Sequence, residues 1–342
     1  MSIEVMGLAG ITASIKQLFI CVTLLHLDTS LYLVLQPQLE VIRGMLYLSL
    51  TVVGVPGNSA VIVAFFLSLY HQPRLAAADA IVLHLVCANL VVVGVRCPLE
   101  TLATFRLANV FGDKTCQGVI FVYRMSRSLS IWLTFVLSTY QCLSISPPGS
   151  RWASFRVLVA RHLHVVFFTL WVITASMSSA AISYSVGYRN DSSLSQNSVN
   201  VRFCYIRFPS VQSMEFNGAV SVGRDVVPMA LMTASSMLIL VFLYRHSQQV
   251  QGIRSSSRAG GGAEQRAAKA VVALVTLYVV LYGVDNGLWV YTLTVRQTLN
   301  SPLISDLRIF FSYLISTERL MCQGKTIGTR KILCVQFLNR SI

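Results

Sequence analysis

The sequence predicts an all-α membrane protein, a seven-transmembrane helix bundle whose seventh helix is atypical or truncated. Three observations lead there. Hydrophobic residues fill 54% of the 342 positions and charged residues only 12%. A soluble domain carries about a quarter charged residues, so polar side chains are too few here to cover a water-facing globule. Apolar runs of the length needed to cross lipid as a helix, about 20 residues, recur along the chain. Cationic residues, which give a net charge of +14, gather at the ends of those runs, as cytoplasmic loops do in membrane proteins.

Five runs meet the length requirement outright: Met45–Tyr70, Ala80–Phe105, Val157–Tyr184, Val226–Tyr244 and Ala267–Thr294. A sixth, Gly118–Ile145, is apolar but carries Arg124 and Arg127 in its first half. The seventh candidate, Leu303–Ile315, is short and holds Asp306 and Arg308. Residues 45–315 therefore form the expected bundle, with residues 1–44 as an N-terminal segment outside and residues 316–342 as a cytoplasmic tail. Within the N-terminal segment the apolar stretch Leu18–Leu35 is interrupted by His26 and Asp28, and buried charge disfavours an extra span there.

Charge orients the chain. With the N-terminus outside, the inner loops hold Arg74, then Arg151, Arg156 and Arg161, then Arg245, Arg254, Arg258, Arg266 and Lys269, as the excess of cations in cytoplasmic loops requires. The same orientation places Cys116 and Cys204 at the outer face, where oxidation is permitted. It also exposes Asn190-Asp191-Ser192, an acceptor sequon for N-glycosylation. The expected location is the plasma membrane. Ser185–Val220 reads as a polar outer loop, and Arg254–Ala263 as a flexible Gly/Ser linker.

Other function classes find little support. The Lys and Arg residues are not interleaved with aromatics on a polar module, so nucleic acid is not an expected partner. The cysteines show no metal-like spacing, and neither a metal nor a cofactor is expected. There is no HExxH, no GxSxG and no phosphate-cradling glycine loop, since the glycines at 260–262 lack the following Lys-Ser/Thr. The chain is not expected to be an enzyme. A small-molecule transporter would need broken helices and a repeat between halves, and neither is visible.

Several strings carry a resemblance. His84–Leu90 reads HLVCANL, and a run from Cys116 to Ala153 has a Tyr123-Arg124-x-x-Arg127 core and a SISP…SRWA tail. Arg224-Asp225-Val226 opens the fifth run, LYRHSQQVQGI (Leu243–Ile253) closes it, and Glu264-Gln265-Arg266-Ala267 starts the sixth. From about Gly54 to Phe311 the chain resembles the vomeronasal type 1 receptors and their olfactory class A-related relatives, a family of G-protein-coupled receptors. Like that family it lacks the Asp-Arg-Tyr of rhodopsin-like receptors, having Tyr140-Gln141-Cys142 instead, and it lacks their Asn-Pro-x-x-Tyr. It departs from the family pattern after about Ser312, where Glu318, Arg319 and Lys325 interrupt the expected apolar helix.

The resemblance implies a pheromone or odorant receptor that binds a small molecule between its helices. It implies activation of a heterotrimeric G protein of the inhibitory type through Arg151, Arg156, Arg245, Arg254 and Arg266, although those cations equally suit anionic lipid of the bilayer. The departure at the C-terminus leaves a second reading, a truncated receptor variant that does not signal. A Cys116–Cys204 disulfide would tie the third helix to the long outer loop.

The ligand site is expected around Tyr123, Arg124 and Arg127. The two arginines are three residues apart and share a helix face, about 12–17 Å below the start of the helix. A guanidinium there suits a carboxylate, sulfate or phosphate of an anionic ligand, or else an internal ion pair with Glu100 or Asp285. Tyr282, Asp285, Asn286 and Trp289 follow i, i+3, i+4, i+7 and share a face. They form either a polar patch with aromatic walls in the pocket or an interfacial aromatic belt. Arg224 and Asp225, adjacent and about 100° apart on a helix, are expected not to pair with each other, one of them reaching the outer loop instead.

Overall fold

The computed structural model describes residues 29–71, 76–105, 112–145, 151–187, 198–201 and 203–253, together with 280, 283–284, 286–288 and 290. The segments expected as the sixth span (apart from the last-named positions), the seventh span and the tail 316–342 lie outside the described residues, as do Asn190 and the Gly/Ser linker.

Seven helices run through the described part: α1 (Thr29–His71), α2 (Ala77–Thr104), α3 (Asp113–Ile145), α4 (Arg151–Arg161), α5 (Leu163–Ser178), α6 (Ala180–Tyr184) and α7 (Val211–Ile253). Five segments are long and apolar enough to cross a membrane: Glu40–Tyr70, Ala77–Thr104, Asp113–Ser144, Leu163–Tyr184 and Val211–Phe242. They overlap the first five expected runs in chain order, Met45–Tyr70, Ala80–Phe105, Gly118–Ile145, Val157–Tyr184 and Val226–Tyr244, with one large displacement. The fifth span begins at Val211, well before the expected Val226, because ten residues assigned to the outer loop are helical. Ser210 caps that helix, its hydroxyl accepting from the Ser213 N–H at 3.2 Å, as N-cap serines do.

The all-α expectation needs a small amendment. Between α6 and α7 the outer loop forms a three-stranded antiparallel sheet in the order β1-β3-β2, from β1 (Ser185–Gly187), β2 (Ser198–Asn200) and β3 (Cys204–Arg207). Ser185 pairs with Ile206, and Ser198 with Arg207. The Cys116–Cys204 disulfide joins this sheet to the first turn of α3, as expected. Beside it Asp113 accepts from the Gly187 N–H at 2.7 Å. Cys116, Ile120, Ala181, Phe203 and Cys204 form one buried cluster around the bridge.

Side chains facing lipid and side chains facing the bundle divide cleanly. Val52, Val53, Phe66 and Leu67 of α1 are exposed, as apolar residues in contact with acyl chains must be. Leu85 and Ala88 of α2, Leu129 and Leu133 of α3 and Leu170 of α5 pack as one buried cluster. Gly44 lets α1 approach α2 closely, since a Cβ there would lie 2.9 Å from Thr104 Cγ2. Hydroxyls inside the spans bond the carbonyl four residues back, for example Thr134 to Ser130 and Ser236 to Met232, which satisfies them without water.

The disulfide closes a loop that would otherwise be free to move away from α3. Cys204→Ser should lower stability by about 2–4 kcal/mol, read as a lower thermal midpoint in detergent and reduced surface delivery, and Cys116→Ser/Cys204→Ser should match the single variant. A single variant as stable as the parent would show that the bridge adds nothing.

Candidate functional site

Polar residues of the early part of α7 recur at Asn217, Ser221, Arg224 and Asp225, that is i, i+4, i+7 and i+8, so they line one face of the helix. All four are buried, and hydrogen bonds and an ion pair join them to the Arg124–Arg127 face of α3. Arg124 donates through one terminal nitrogen to Asn217 Oδ1 at 3.0 Å and to Ser221 Oγ at 2.7 Å. Arg127 pairs with Asp225 Oδ2 at 3.3 Å. Arg224 donates through Nε to Asp225 Oδ1 at 2.9 Å. This last contact corrects the expectation that Arg224 and Asp225 do not pair. Their Cα–Cβ bonds do diverge, but the long arginine stem curls back to bring Nε onto its neighbour. Both sit in the α3–α7 interface.

Arg224, Asp225 and Arg127 all lie close enough to bear on the charge of Arg124. Among the described residues the cluster therefore sets three guanidinium groups against one carboxylate. Arg124 itself is held by two neutral oxygens.

A second ionic cluster lies between α1, α2 and α3. Arg96 pairs with Glu100 at 3.2 Å, one turn along α2. Its guanidinium carbon sits 4.5 Å from the centroid of the Tyr123 ring, a cation–π contact. Glu100 is only 1% exposed, and Arg43 of α1 donates to Thr104 Oγ1 at 3.3 Å. Glu100 thus meets Arg96, and not Arg124 or Arg127 as one of the alternatives left open by the sequence had it. Tyr123 is buried and forms the wall between the two clusters.

Toward the inner end the described contacts between spans are neutral. Ser130 donates to Asn89 Oδ1 at 2.6 Å, and the hydroxyls of Thr139 and Ser235 lie 3.4 Å apart. His84 stacks on Phe167 with centroids 3.9 Å apart. Among the described residues no group of three or more His, Cys, Asp or Glu could hold a metal ion.

Residues 41–326 match the vomeronasal organ pheromone receptor family. The chain belongs to it. An olfactory receptor class A-like protein 1 of Danio rerio is 34% identical over 272 residues, 79% of this chain and 84% of that protein. A vomeronasal type-1 receptor 1 of Gorilla gorilla gorilla is 26% identical over 303 residues, 86% of this chain and 85% of its own. A human vomeronasal type-1 receptor 4 is 29% identical over 241 residues, 70% and 79% of the two chains. Membership of the vomeronasal receptor family makes this a multi-pass membrane protein with a receptor's task and not an enzyme.

The other expected positions divide unevenly. Asn286 is buried, whereas Tyr282, Asp285 and Trp289 lie outside the described residues. Arg156 is exposed on α4; Arg151 starts that helix and Arg245 lies in α7, but their side chains are outside the described set, as are Arg254 and Arg266. Reading the sequence for charge missed three contributors, Arg96, Asn217 and Ser221. Arg96 was detectable as a cation four residues from Glu100 inside an apolar run. Asn217 and Ser221 were detectable only once helical spacing was extended back through the presumed loop.

Removing one partner of a buried pair strands the other. Glu100→Gln should cost about 3–5 kcal/mol in thermal unfolding, whereas Arg96→Met/Glu100→Leu should lose much less. Equal losses in the two proteins would contradict the pairing.

Proposed function

We propose that this chain is a chemosensory receptor of the plasma membrane, with its N-terminus outside, that binds a small anionic molecule between α3 and α7. In this reading residues 45–315 form a seven-helix bundle and residues 316–342 a cytoplasmic tail. Binding shifts α3, α7 and the sixth span and opens the inner face to a heterotrimeric G protein of the inhibitory type. Arg151, Arg156, Arg245, Arg254 and Arg266 supply cations on that face. Asn190 is glycosylated on the outer side.

The observation that carries the reading is that Arg124, a cation inside a span, is held by two neutral oxygens, Asn217 Oδ1 and Ser221 Oγ. Cations at membrane depth are costly and mark ligand or ion paths, and a guanidinium held by neutral oxygens retains its capacity for a carboxylate or sulfate fork. Tyr123 walls the site on one side, and Tyr282, Asp285, Asn286 and Trp289 of the sixth span would close it on the other. Family membership supports the chemosensory role. The family match also runs through Glu318 and Arg319 to residue 326, which supports treating the last segment as part of the receptor. Ligand binding must favour the active arrangement over the resting one, because only differential affinity shifts a population.

Cells expressing the chain with an inhibitory-type G protein, screened with small carboxylates and sulfates and their neutral analogues, should respond to acids only. Arg124→Ala should abolish those responses, a loss of more than about tenfold in potency, while surface expression persists. Unchanged potency, or loss of the variant from the surface, would overturn the assignment.

A further inference from the structure

Helix α4 is almost without cover from the rest of the chain. Of its described side chains Val159 is half-buried and every other is exposed. Trp152, Phe155 and Leu158 are 49%, 58% and 51% exposed. Eleven residues do not hold a helix in water by themselves, since isolated helices shorter than about 12–15 residues are marginal and owe their stability to a packed apolar face. A surface outside the chain therefore covers α4. At 100° per residue Leu158, Phe155, Val159 and Trp152 fall within an arc of about 120°. Arg156 and Arg161 flank that arc on its two sides, and Val157 stands opposite it. The helix holds three arginines and no acidic residue.

The level of α4 in the bilayer follows from the span after it. Leu163–Tyr184 has 22 residues, which at 1.5 Å each cover about 33 Å, the whole hydrocarbon thickness of about 30 Å. His162, at φ −104° and ψ 23°, separates α4 from α5. Helix α4 is thus left at the headgroup layer, at the end of α3 opposite the disulfide, which is the inner end in the orientation proposed above. We infer that α4 is a membrane anchor that binds anionic phospholipid: Trp152, Phe155 and Leu158 enter the acyl boundary, and Arg156 and Arg161 receive headgroup phosphates on either side. Short apolar faces rimmed by arginine lie in the interface in this way, the guanidinium groups reaching outward while their stems stay on the apolar surface. The cytoplasmic leaflet is the anionic one, so the charge of α4 suits the leaflet it faces. Arg156 stays on the inner face in this reading, and its partner there is lipid. Because α4 joins α3 to α5, a headgroup that holds it fixes the depth of both spans.

The test uses the full chain in phosphatidylcholine nanodiscs, part of the lipid being replaced at equal mole fraction by brominated phosphatidylserine or brominated phosphatidylcholine. Bromine quenches indole emission on contact, and the difference between the parent and Trp152→Phe isolates Trp152 among the chain's four tryptophans. Trp152 should be quenched by both lipids, with a preference for phosphatidylserine of about fivefold for each arginine engaged. Arg156→Gln/Arg161→Gln should remove that preference and leave quenching by phosphatidylcholine in place. Arg156→Lys/Arg161→Lys should retain it, because attraction to an anionic surface follows charge. Both positions are exposed, so neither exchange disturbs the packed core. Equal quenching by the two lipids in the parent, or a preference that survives the glutamine exchange, would overturn the anionic site. Excess soluble glycerophosphoserine should not compete, and competition would overturn the membrane surface as the occupant. Trp152 emission untouched by either lipid would overturn the anchor and give this face to a protein partner.

Discussion

Charge buried in a lipid-solvated bundle has to be answered from within the bundle, and the outer half of this protein is arranged around that requirement. Arg124, Arg127 and Arg224 share the α3–α7 interface with Asp225, while Arg96 and Glu100 form their own pair on α2. An ion at this depth costs several kcal/mol unless it is paired and hydrogen-bonded. Water cannot supply the missing partners in the hydrocarbon core, so side chains from neighbouring helices must. That demand explains why the early turns of α7 are polar on one face, and why Asn217 and Ser221 are buried at all.

The same demand ties α3 to α7: Arg127 meets Asp225 across the interface, and Arg124 is held there by Asn217 and Ser221. Tyr123, stacked under Arg96 on one side and adjacent in sequence to Arg124, stands between the Arg96–Glu100 pair and the Arg124 group. The disulfide and the small sheet fix the outer end of α3, so that the arginines sit at a defined depth below the loop. Among the described residues the inner half is joined by neutral contacts, Asn89 with Ser130 and Thr139 near Ser235.

Much of this was legible without coordinates. Apolar runs of spanning length identify the first four spans to within about six residues, because lipid imposes both length and composition. Cys116 and Cys204 stand out from the other cysteines by topology alone. Arg124 and Arg127 announce themselves as charges inside an apolar run three residues apart. The start of the fifth span was not legible in the same way: Asn217, Ser221, Arg224 and Asp225 lower the apolar content of Val211–Val226, so that a buried polar helix face resembles a loop.

What the sequence by itself determined is therefore the class of protein, its first four spans and the identity of the ionisable groups placed at risk in lipid. Those follow from composition and period, which are local properties of the chain. Which cation meets which carboxylate was decided only by the tertiary structure. Glu100 turned to Arg96 on its own helix, and Asp225 met both its neighbour and Arg127 across the interface. Pairing depends on helix rotation and on the reach of flexible side chains, and neither quantity is written in residue spacing.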